Sequence, residues 1–159
     1  MSTEDTFAVE LSIGEVAART GLSVHALRFY ERENLLLAPV RRTSGGRRVY
    51  GQQDVDWLSI CTRLRASGMP LADLRAFAAL VREGPGNEDQ RLALLQNHQS
   101  HVQAQLAELQ SCLDLITWKV GIYEQRVNDD TVRGVWDPAA NEHPTWPHPA
   151  PASRARPPH

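Results

Sequence analysis

The chain has 159 residues, 42% of them hydrophobic, and a formal net charge of −2. That suffices for one small domain with an extended appendage, and no run of about 18 apolar residues is present to cross a membrane. The acidic opening MSTEDTFAVE lacks the basic start and apolar stretch of a signal peptide, so a cytoplasmic protein without a membrane partner is expected.

Charge is unevenly spread. Residues 1–82 carry 11 Lys+Arg against 9 Asp+Glu, whereas residues 83–159 carry 6 against 10. Arg41, Arg42, Arg47 and Arg48 fall within eight positions, and local charge density steers binding to phosphate more than the sum does. Cys61 and Cys112 form neither a CxxC pair nor a zinc spacing. They read as free thiols, and neither a metal nor another cofactor is expected. No nucleophile–base pair, phosphate loop or carboxylate pair stands on a recognisable scaffold, so no enzyme is expected.

In chain order, Ser12 with Glu15 three residues on is a capping-box signal for a first helix, IGEVAART, whose Ile13, Val16 and Ala17 form a buried face. Gly21 permits the left-handed turn that ends it. Ser23 caps a second helix, VHALRFYERE, with Leu27 and either Phe29 or Tyr30 turned inward. Pro39 stops the helical pattern. Ser44-Gly45-Gly46 between arginines predicts a small β-hairpin over roughly 40–50. A third helix is expected over Asp54–Ala66, and a fourth after Pro70, with Leu71, Leu74, Phe77, Ala78 and Val81 on one face. Gly84-Pro85-Gly86 breaks the chain.

Leu92, Leu95, Gln99, Val102, Leu106, Leu109, Leu113, Ile116, Val120 and Tyr123 then alternate by three and four. That is a sustained heptad, the mark of a coiled coil. So long a stripe needs a partner, most simply its own copy in a homodimer, with Leu92, Leu95, Val102, Leu106, Leu109, Leu113, Ile116 and Val120 as the dimerisation residues. Gln99 is a polar break that can fix register. Beyond Val127 the chain is Pro-rich and aperiodic, and is expected to be disordered, with Trp136 and Trp146 as candidates for local docking. The expected organisation is a tail over 1–10, a winged helix-turn-helix over 11–82, a dimerisation helix over 87–126 and a second tail over 127–159.

Four motifs occur in a fixed order: IGEVAARTGLSVHALRFYERENLL, the P-x-R-R-x-x-x-G-x-R-x-V-Y spacing of the hairpin, SGMPLADLRAF, and the long heptad helix. Together, over about residues 11–125, they resemble the MerR family of bacterial transcription regulators. The resemblance implies a mainly α fold, with a winged helix-turn-helix followed by a long helix that dimerises as an antiparallel coiled coil. It also implies a homodimer on a near-palindromic promoter, where such regulators distort over-long spacer DNA for RNA polymerase. Asn34 stands where the family often has glycine, which asparagine can replace at positive φ. Arg47 stands where an aromatic residue is common.

A helix-turn-helix places the N-terminal residues of its second helix near base edges, here Ser23, Val24, His25 and Arg28. The resemblance favours phosphate for Arg28 and Tyr30, and base reading for Val24 and His25. Tyr30 can equally be a core ring. Arg41, Arg42, Arg47 and Arg48 are expected to grip the DNA backbone from the wing, with at least one of them paired to an acid instead.

The family's metal-sensing cysteines have no counterpart here, and His98 and His101 read as solvated. A large ligand domain is also missing, so the short branch related to aldehyde and nitrosative stress fits best. Aligned on Gly68-Met69, that branch's reactive cysteine falls on Arg63. Cys61 lies two residues away, about 200° around a helix. It is a candidate electrophile sensor and equally a buried small hydrophobe. The alternatives are an effector-independent architectural DNA binder and a coiled-coil module that binds protein. Effector, operator and sign of regulation are not written in the residues.

Overall fold

The computed structural model of the chain describes residues 9–131, Val135, Trp136 and Trp146. Most of the predicted 127–159 tail, and residues 1–8 of the N-terminal one, lie outside the described residues. The chain is mainly helical: α1 Ile13–Thr20, α2 Val24–Arg32, α3 Gln52–Ala66, α4 Leu71–Glu83 and α5 Glu88–Asn128, with strands β1 Arg41–Arg42 and β2 Arg48–Val49 between α2 and α3. It divides into two compact units, 1–103 and 104–159. The first reaches past residue 82 because Leu94 packs on its core and the buried His98 bonds to Ser67.

Local chemistry sets the helix ends. The Ser12 N–H donates to Glu15 Oε2 at 2.7 Å, and the Glu15 N–H returns the bond to Ser12 Oγ at 3.3 Å, which satisfies two of the donors a helix start leaves bare. These bonds hold the Glu15 carboxyl below its ordinary pKa. Gly21 closes α1 at φ 74°, and Ser23 Oγ accepts the Ala26 N–H at 3.0 Å to open α2. Helix α3 starts two residues earlier than predicted, because Asp54 reaches back to accept the Gly51 N–H at 2.8 Å. Asn34 holds φ 54°, the left-handed turn that its place in the sequence suggested.

In the hairpin Arg41 pairs with Val49 and Arg42 with Arg48. Thr43 and Arg47 close the turn by an N–H···O bond of 2.9 Å. Leu11 and Tyr50 exchange two backbone bonds, both 2.9 Å, so the segment before α1 adds a third edge to the hairpin's base. The Tyr50 hydroxyl is buried with no hydrogen-bond partner among the described residues, and burial raises its pKa.

The core of the first unit gathers Val16, Leu27, Leu35, Leu58, Cys61, Met69, Leu74 and Ala78. Trp57 stacks on Phe77, with centroids 5.8 Å apart, and donates its indole N–H to the Leu35 carbonyl at 2.7 Å. Arginines fasten the joints. Arg82 Nη1 donates to the Asn34 and Leu36 carbonyls at 2.6 and 2.9 Å, and Arg75 pairs with Glu33. Arg91 donates to the Leu80 and Gly84 carbonyls and, at 2.7 Å, to Asn87 Oδ1. The bonds to the Asn34, Leu36, Leu80 and Gly84 carbonyls satisfy backbone acceptors at a turn or helix end.

In the second unit the seam side chains are bare. Leu106 and Leu109 are 61% and 66% exposed, and Leu113, Ile116, Val120 and Tyr123 are also exposed. Trp146 meets Trp118 edge-on at 5.3 Å, and Lys119 Nζ lies 5.7 Å from the Trp136 ring centroid. Both tail tryptophans therefore find partners on the helix, as their composition suggested.

Candidate nucleic-acid interface

Helix α2 has two unlike faces. Leu27 and Tyr30 are buried, while Ser23, His25, Arg28 and Arg32 are exposed and Val24 is half-buried. The three-residue step from His25 to Arg28 puts both on one side of the helix. Ser23 spends its hydroxyl oxygen on the cap, which makes it a helix-starter first. Arg32 was not among the predicted contacts, although its exposure and its place in the last turn put it in this basic set.

Tyr30 departs from the phosphate-contact reading. Its side chain is only 7% exposed. Its pKa is raised by burial. A ring buried to this degree packs as part of the core and presents little surface to a phosphate.

The wing arginines separate into distinct roles. Arg48 Nε donates to Glu31 Oε2 at 2.6 Å, and Arg42 Nη2 donates to Glu31 Oε1 at 3.3 Å. Arg41 meets Glu10 at 3.3 Å, both side chains well exposed, so that pair contributes little. Arg47 is exposed at the turn and makes no ion pair among the described residues. Three of the four thus pair with acids. The partners, Glu10 and Glu31, were missed in the sequence, where 31, 11 and 17 residues separate them from their arginines.

Cys61 is fully buried, and burial pushes its thiol up to about 12. Burial thus disfavours the thiolate, which is the nucleophile. This environment suits the buried hydrophobe, not the electrophile sensor. Cys112 is exposed. N-ethylmaleimide is expected to label Cys112 in the native protein and Cys61 only after denaturation. Equal native labelling rates, read by peptide mass spectrometry, would contradict the burial. His98 is buried rather than solvated; its Nε2 sits 2.7 Å from Ser67 Oγ. The same hydroxyl lies 3.0 Å from the Leu64 carbonyl, which ties His98 to the end of α3.

A helix pair with a basic outer face, beside an arginine-bearing two-stranded wing, defines a winged helix-turn-helix DNA-binding protein. Family models agree: one described as MerR HTH family regulatory protein matches residues 11–80, and one described as MerR, DNA binding matches residues 55–118. The chain belongs to the MerR family and is a DNA-binding transcription regulator. It is similar to an uncharacterized HTH-type transcriptional regulator of Haemophilus influenzae, 35% identical over 76% of this chain and 89% of the relative. Its fold matches HiNmlR, described as a MerR family regulator lacking the sensor domain and bound to promoter DNA. The TM-score is 0.68 at 33% identity, over 78% of this chain and 93% of that one. A solved chain from Listeria monocytogenes assigned to the same family gives 0.71 at 28% identity, over 76% and 90%.

Proposed function

We propose that the chain acts as a homodimer that binds a near-palindromic promoter in the cytoplasm and alters transcription by distorting the DNA presented to RNA polymerase. The observation that carries this reading is the bare heptad stripe on α5, from Leu92 through Val120. An apolar row of that regularity is removed from water by a second copy packed along it as an antiparallel coiled coil. Two recognition helices then face successive turns of one duplex. The solved relative bound to promoter DNA supports the same partner. In this reading residues 11–82 supply the DNA contacts and 87–126 the dimerisation helix.

Contacts divide by role. Val24 and His25 lie at the start of α2 and read the groove, and Arg28 one turn on takes phosphate. Arg47, with Arg41 and Arg42, takes backbone phosphate. Arg47→Ala is expected to weaken binding to operator and random duplex alike and to lower the slope of log affinity against log salt by about one. His25→Ala is expected to weaken operator binding alone. Fluorescence anisotropy over a salt series measures both, and an unchanged slope for Arg47→Ala removes the wing role.

A second reading, operator binding without an effector, is favoured by the burial of Cys61. An electrophile response carried by that thiol requires the core to open first.

A further inference from the structure

Glu31 is the last acid of α2, and its two carboxylate oxygens take one guanidinium each. The two arginines are register partners across the hairpin, Arg42 on β1 and Arg48 on β2, so one carboxylate ties both strands of the wing to the recognition helix. The arms are unequal. Arg48 and Glu31 are each 24% exposed and meet at 2.6 Å, while Arg42 is 47% exposed and meets Glu31 at 3.3 Å. Arg42 also donates to the Gly46 carbonyl at the turn. A carboxylate beside a guanidinium offers the same charge and the same acceptor geometry as a phosphate oxygen.

We propose that Glu31 is a positioning residue for DNA binding: it occupies Arg42 and Arg48 as an internal substitute for phosphate and thereby suppresses binding to non-operator DNA. The inference rests on the DNA-binding reading above. Non-specific affinity comes almost wholly from arginine and lysine neutralising phosphates. Every arginine already neutralised by the protein is withdrawn from that term until a phosphate displaces the carboxylate. A random duplex, held only by its backbone, does so poorly. An operator that also engages the groove-reading face of α2 keeps a phosphate against the wing long enough to exchange, first at the more open Arg42. Arg47, with no such partner among the described residues, remains available to any duplex.

The test compares wild type with Glu31→Gln, which keeps the shape and removes the charge. The probes are a duplex spanning the promoter beside the chain's own gene and a random duplex of equal length, each titrated over a salt series. Glu31→Gln is expected to bind the random duplex about five-fold or more tightly, with the salt slope steeper by about one, as one further phosphate is neutralised. Operator affinity should change less, so discrimination falls, and Arg42→Ala placed in the Glu31→Gln background should cancel the gain. Glu31→Asp, one methylene short of both arginines, should move the same way by less, and serves where circular dichroism shows Glu31→Gln to be unfolded. Unchanged affinity and slope on the random duplex overturn the inference. So does an equal loss on both duplexes at constant slope, which is the behaviour of a mere brace. A wild-type chain that binds neither duplex in low salt overturns the DNA-binding reading itself.

Discussion

Leu109→Glu is expected to leave the purified chain monomeric at micromolar concentration and to cut its affinity for the promoter duplex by about a hundred-fold or more. Leu109 is the most exposed leucine of the seam, between Leu106 and Leu113. Burying one leucine side chain contributes roughly 1.5–3 kcal/mol, and a two-fold axis counts the position twice. Glutamate forfeits that and places a charge in each half of a seam that has no counter-ion of its own. The affinity loss follows from geometry. In a dimer the second recognition helix binds from an effective concentration set by the first, and a monomer has no such tether. Sedimentation equilibrium and anisotropy read the two effects separately. Ser111→Glu, on the exposed back of the same helix, is the control and should stay dimeric. A Leu109→Glu chain that remains dimeric removes the seam from the dimer interface.

Trp57→Ala is the substitution expected to cost the most stability, about 3–5 kcal/mol, a large share of what a domain of this size has to lose. The indole fills the space between the loop after α2 and the face of α4, stacked on Phe77 and bonded to the Leu35 carbonyl. Alanine leaves a cavity and an unpaired buried carbonyl together. Trp57→Phe separates the two: it keeps an aromatic ring on Phe77 and loses the bond, for a cost of about 1–2 kcal/mol. Urea unfolding followed by far-UV circular dichroism measures both. Equal losses for the two variants would mean that ring packing carries little of the effect.

The parts legible beforehand were those whose cause lies within a few residues. Ser12 with Glu15, Gly21 and Ser23 each act on a backbone group four residues away or less, so the α1–turn–α2 unit followed from them directly. The Ser44-Gly45-Gly46 turn marked the hairpin, and Asn34 marked the positive φ. The illegible parts depend on distant partners. Nothing near Leu11 announces Tyr50, and a single bridge has no alternating pattern to betray it. The arginine cluster declared its charge but not its pairing, because Glu31 becomes its neighbour only once the chain has turned back on itself. Tyr30 was ambiguous because an aromatic phenol suits a core and a phosphate contact equally, and only the approach of α3 decided it. His98 looked like one more polar residue on a surface helix until Ser67 packed against it.

Arg82 clasps Asn34 and Leu36 by their carbonyls, not by their side chains. Such a fastening is blind to the identity of what it holds. Either held residue can drift, within the limits that φ 54° places on position 34, and the joint survives. All of its vulnerability sits at position 82, whose one nitrogen Nη1 makes both bonds, so that its loss frees both carbonyls at once. Random mutagenesis of this joint should therefore be lopsided, with many tolerated changes on the turn and few on the helix that grips it.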